Sequence, residues 1–152
     1  MKTKETIEIL KKAGWELGRE KKIKKEIEFL AIKGYIISDS FVSFYKEYGQ
    51  LYVDIKVKGN DRVIDFNIYT PVSYDYDEVI INDYPKIIGS KNLIPIGNID
   101  GTSYLVIDEN KKIYSLYDGS VLIIGENPDN ALNNLFSKEW REFQELPIPD
   151  WW

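Results

Sequence analysis

Tyr104 to Gly125 reads YLVIDENKKIYSLYDGSVLIIG, and this stretch decides the fold. Three short apolar runs stand in it: Tyr104–Ile107, Ile113–Tyr117 and Val121–Ile124. Asp108-Glu109-Asn110-Lys111 separates the first two, and Asp118-Gly119 the last two. Both separators are rich in residues that tolerate turn conformations. Connections this short demand antiparallel neighbours, because a parallel crossover needs a dozen or more residues. The stretch therefore predicts a three-stranded antiparallel meander.

Working outward, Asn127-Pro128-Asp129 follows, a capping residue with proline at the first helical position. Ala131, Leu132, Leu135 and Phe136 supply the apolar face of the helix it opens. Upstream, Leu51, Val53, Ile55 and Val57 alternate with other residues, as do Ile64, Phe66 and Ile68. Lys58-Gly59-Asn60-Asp61 between them predicts a hairpin. The first third has helical spacing instead: Ile7, Leu10 and Ala13 before Gly14, then Ile23, Ile27 and Leu30 before Gly34. Ser40 is the expected cap of a third helix bearing Phe41, Phe44, Tyr45 and Tyr48 on one stripe, ahead of Gly49. That stripe is read as core rather than as a ligand platform. Thr70 to Gly89 is irregular and is read as a loop. The order is helices, antiparallel strands, then a helix, so the fold class is α+β, one domain over residues 1–152.

Composition narrows the chemistry. The chain of 152 residues contains no cysteine and no histidine, which excludes disulfides, thiolate metal sites and the usual serine or cysteine triads. Catalysis on carboxylates, lysine or tyrosine stays open. No run approaches the roughly 18 apolar residues of a membrane span, and a charged N-terminal stretch replaces a signal core, so a cytoplasmic protein is expected. Residues 1–33 hold 10 Lys and Arg against 6 Glu, whereas the chain as a whole is −5. The body is therefore acidic, which argues against nucleic acid as a partner and suits a basic protein partner or simple solubility.

Residues 70–110 concentrate that acidity: Asp75, Asp77, Glu78, Asp83, Asp100, Asp108 and Glu109 face only Lys86 and Lys91. Tyr74, Tyr76 and Tyr84 interleave with the first four acids, a make-up common in binding hot spots. Asp75, Asp77, Glu78, Asp83, Tyr74, Tyr76 and Tyr84 are accordingly the candidate partner-binding residues, with solubilising loop acids as the plainer reading. The cluster lacks the glycine and the later glutamate of an EF-hand calcium loop, and no phosphate-binding glycine motif occurs, so no metal and no cofactor is expected. Lys21-Lys22-Ile23-Lys24-Lys25-Glu26 is read as the solvated face of an amphipathic helix. The terminal Trp151-Trp152 pair either packs back onto the domain or forms an exposed patch.

Several short motifs, in order, resemble a known family. Ala13-Gly14-Trp15 with Gly18-Arg19, Phe44-Tyr45-Lys46-Glu47-Tyr48-Gly49, Ile88-Gly89 and Leu93-Ile94-Pro95-Ile96-Gly97 are similar to the third subgroup of the SUKH superfamily. The pattern continues in Val106-Ile107-Asp108-Glu109, Ile113-Tyr114, Gly125 and Asn130-Ala131-Leu132 with Leu135. The resemblance implies a SUKH-like sheet flanked by N-terminal helices and a C-terminal helix. It also implies a non-catalytic bacterial immunity protein that binds and neutralises a cognate polymorphic toxin domain, nucleases being one class of such toxins. A regulatory interaction scaffold is the second reading, and a carboxylate-dependent hydrolase the third. The motif residues are expected to shape the fold: Gly14 stopping a helix, Trp15 anchoring the core, Pro95 and Gly97 shaping the start of a strand.

Overall fold

A computed structural model describes residues 1–57, 59–69, 76–137 and 142–151. The meander forms as its turns dictate. β4 (Ser103–Asp108), β5 (Ile113–Tyr117) and β6 (Ser120–Gly125) pair antiparallel in sequence order. Asp118 and Gly119 both take positive φ, 43° and 82°, the two-residue turn whose twist suits a hairpin. At the other turn the Asp108 carboxylate accepts the amides of Asn110 and Lys112 at 2.8 and 3.0 Å.

The same logic extends the sheet in both directions. β1 (Tyr52–Val57), β2 (Asn60–Asp65) and β3 (Leu93–Ile99) precede the meander, and β7 (Gln144–Glu145) closes it. Among the described residues the seven strands are antiparallel neighbours in chain order. β3 is apolar without alternation because it is buried on both faces. Its Pro95 sits at a register shift between Pro95 and Gly97, where the ladder can spare a donor. A Cβ at Gly97 would lie 2.2 Å from the Asp65 carbonyl, so the close approach of β2 requires glycine there.

Helices α1 (Lys4–Lys12), α2 (Lys24–Lys33) and α3 (Asp39–Tyr48) precede the sheet, and α6 (Pro128–Leu135) packs on β6. The fold is α+β, and these four helices lie in the segments read as helical from sequence. Trp15, Phe41, Phe44, Tyr45 and Tyr48 are all buried, as core residues should be. Arg19 donates to the carbonyls of Glu47 and Gly49 at 2.7 and 2.9 Å, satisfying the orphan end of α3.

Four local expectations need correction. The cap of α3 is Ser38, whose Oγ accepts the Phe41 amide; Ser40 is inside the helix and donates to the Glu109 carbonyl at 2.7 Å. β2 ends at Asp65, because Phe66 faces a bulge where Gln50 takes φ 63° and donates to the Phe66 carbonyl. The segment read as a loop contains α4 (Asp77–Asn82) and α5 (Tyr84–Ile88). Lys21 and Lys22 precede α2 rather than lying on it.

Candidate partner-binding surface

α2 has more apolar residues than its buried face can use. Ile23 and Leu30 are buried and Ile27 packs partly against the core. Phe29 also packs partly against the core, whereas Ala31 and Ile32 are exposed, where a surface helix normally carries charge. Ile32 is 88% exposed, and Ile36, just past the helix, is 78% exposed. The helix end is fixed rather than frayed. Gly34 takes φ 105°, the Tyr35 amide donates to the Leu30 carbonyl at 3.1 Å and the Gly34 amide to that of Ala31 at 3.0 Å. This is a Schellman closure, and it sets where Ile36 emerges.

Asp77 ties this helix end to α4. Its carboxylate accepts the Tyr35 hydroxyl at 2.6 Å and pairs with Lys33 Nζ at 2.9 Å. Lys33 also lies 4.6 Å from the centroid of the Phe29 ring, and Phe29 meets Tyr69 edge-on at 4.8 Å. Phe29, Lys33 and Tyr69 thus adjoin, and Lys33 with Gly34 also lines a shallow cleft of about 490 Å³ whose other residues are Asp77, Glu78, Ile81 and Asn82. The Tyr69 hydroxyl has a raised pKa, through partial burial first and then the charges of Glu26 and Glu28. It is a protonated donor in a negative environment.

The seven sequence candidates fare differently. Glu78 is exposed at the rim of the cleft, and Asp83 is half-exposed between α4 and α5. Asp77 braces two helices. Tyr76 is half-buried with its ring 5.4 Å from that of Tyr104. Tyr84 is 1% exposed, and its hydroxyl accepts the Gly119 amide at 3.1 Å, so the turn of the meander claims it and no partner can reach it. Tyr74 and Asp75 lie outside the described residues. The other acids of 70–110 are engaged. Asp108 holds its turn and accepts the Tyr114 hydroxyl, Glu109 accepts the amides of Lys91 and Asn92, and Asp100 pairs with Arg62. Trp151 is 59% exposed, and Trp152 falls outside the described residues.

Ile32 and Ile36 were missed because apolar residues in a helical window are read as core by default. Their signal was an α2 that is apolar around more of its circumference than one buried stripe requires. The short motifs that carry the family resemblance lie elsewhere: Gly14, Trp15, Arg19, Gly97 and Asp108 all act within the fold, and none is on the outer face of α2.

Among the described residues, no group of three metal-ligating side chains gathers, and no helix is long and apolar enough to cross a membrane. No curated protein and no solved structure matches the chain. A family model described as SUKH-3 immunity protein matches residues 2–138, and the chain belongs to the SUKH-3 immunity protein family.

Proposed function

We propose that this chain is a non-catalytic immunity protein, one domain acting in the cytoplasm, that neutralises a cognate toxin domain by occupying it. Membership of the immunity family supports the role, and a chain without histidine or cysteine is poorly equipped for catalysis. The observation that carries the location is the exposure of Ile32 on a firmly capped helix and of Ile36 just past its cap, on the helix whose Phe29 meets Tyr69. Apolar anchors desolvated at the centre supply affinity, and charges at the rim supply encounter rate. Ile32 and Ile36 take the first part, Glu78 and Asp83 the second, and Tyr69 and Tyr76 add aromatic contacts. A toxin that acts on nucleic acid, and so carries a basic cleft, is the class this rim suits best.

The test is inhibition at defined stoichiometry. The purified chain is titrated into its cognate toxin domain while that toxin's activity is followed. Activity should vanish near one equivalent, and full activity at a large excess of the chain would overturn the proposal. Neutralising Glu78 and Asp83 to Gln and Asn should slow association at low salt and have little effect at high salt.

A further inference from the structure

The sheet begins at a strand with an open edge. Among the described residues nothing pairs with the outer side of β1. An open edge presents unpaired amides and carbonyls that invite another strand. Which residues present them follows from the ladder. The Phe66 amide donates to the Leu51 carbonyl at 2.9 Å, and β1 pairs with β2 in a continuous register from Tyr52↔Asp65 to Val57↔Asn60. Antiparallel ladders alternate, so Val53, Ile55 and Val57 turn their backbone groups toward β2. Tyr52, Asp54 and Lys56 turn theirs outward.

We infer that β1 pairs antiparallel with β1 of a second copy of this chain, about a two-fold axis at Ile55, joining the two sheets into one. Charge selects both partner and register. With the axis at Ile55, Asp54 of each copy stands opposite Lys56 of the other, in the hydrogen-bonded positions that the outward groups require. Shifting the axis to Asp54 or to Lys56 sets like charges opposite, which destabilises a sheet. Asp54 and Lys56 are both exposed, and among the described residues neither forms an ion pair within its own chain. On the other face of β1, Val53 stands opposite Val57, and half-buried Ile55 meets its own copy at the closest cross-strand approach.

The space beside this edge is open as well. A groove of about 750 Å³ runs between β1 and α1, with Ile9, Ala13 and Phe136 among its walls. Glu5 lines the same groove and holds one buried carboxylate oxygen with no hydrogen-bond partner in the described structure. Buried polar atoms of this kind are uncommon in finished cores. A second copy seated on the edge would cover the groove's floor.

The experiment is a charge swap followed by sedimentation velocity and amide exchange on the full chain. A ladder of about five residues with a groove is a small interface, so dimerisation is expected in the range of about 10–100 μM. Lys56→Asp alone sets Asp opposite Asp twice per dimer and should weaken association about tenfold or more. Asp54→Lys together with Lys56→Asp restores opposite charges at both positions and should return the dimer to near wild-type strength. In the wild-type dimer the amides of Asp54 and Lys56 should gain protection with concentration, while those of Val53, Ile55 and Val57 stay protected throughout. Both side chains are exposed, so the variants should keep the wild-type circular dichroism spectrum. A wild type still monomeric at about 500 μM, whether its edge is idle or taken by another protein, overturns the inference. So does a dimer indifferent to Lys56→Asp, or one that the double swap fails to restore.

Discussion

Replacing Tyr45 by phenylalanine removes one oxygen atom, and the structure says what that oxygen holds. Tyr45 is fully buried, and its ring stacks on Phe41 at a centroid distance of 5.2 Å, a packing that phenylalanine keeps. Its hydroxyl donates to the Phe66 carbonyl at 2.7 Å and accepts the Ile68 amide at 3.2 Å. Burial, only partly offset by the hydrogen bond from the Ile68 amide and reinforced by the charge of Glu26, holds the hydroxyl pKa far above its ordinary value, so the group remains a donor at any working pH. The two losses are unequal. The Phe66 carbonyl keeps a second donor in the Gln50 amide, so it loses about 1 kcal/mol of net hydrogen bonding. The Ile68 amide loses its acceptor and, being only part-buried, recovers some solvation, so it loses about 1–2 kcal/mol. Tyr45→Phe should therefore cost about 2–3 kcal/mol, or about 4–12 °C in Tm for a chain of this size. Urea unfolding measures the cost, and amide exchange locates it: the Ile68 amide should exchange at least about tenfold faster, with α6 unchanged. A Tm within about 1 °C of wild type, or an Ile68 amide with unaltered protection, would refute the reasoning. The site bears on function because Ile68 leads directly into Tyr69 of the candidate surface.

Other expectations concern packing and charge. Phe44 is 2% exposed and packs against both Tyr48 and Phe66, so Phe44→Ala should cost about 3–5 kcal/mol by denaturant unfolding. Burial raises the pKa of Asp129, but the hydrogen bond and charge of Lys2 and the N-terminal ammonium outweigh it, leaving the pKa below the ordinary 3.8. A carboxyl depressed in the native state stabilises above its unfolded pKa and loses that contribution as pH falls through the native one. Asp129→Asn should thus melt below wild type at pH 7, and thermal melts at falling pH should converge in the acid range below 3.8.

The meander was legible because its turns are local: Asp118-Gly119 needs only its own φ preferences and Asp108 only the amides two and four residues on. The helical stripes were legible for the same reason, since spacing within a helix is set by the helix itself. What stayed hidden depends on distant chain. β3 gave no alternation because other elements cover both of its faces. The Asp77 brace needs Lys33 and Tyr35, more than forty residues away in sequence, so a rim acid and a structural acid looked alike. Tyr84 was taken for a contact residue because nothing in its neighbourhood announces Gly119 as its partner. Exposure of Ile32 and Ile36 is likewise a property of what fails to cover them, and periodicity cannot report it.

The claim that the outer end of α2 is the toxin-binding surface is tested most directly by one affinity comparison. The cognate toxin domain is titrated with wild type, Ile32→Glu and Leu17→Glu. Leu17 is 90% exposed, much as Ile32 is, but lies on a different segment, between α1 and α2. A central anchor loses about 2 kcal/mol or more on such a change, so Ile32→Glu should bind about thirtyfold or more weakly, with Leu17→Glu within about threefold of wild type. Equal affinities for wild type and Ile32→Glu would contradict the account.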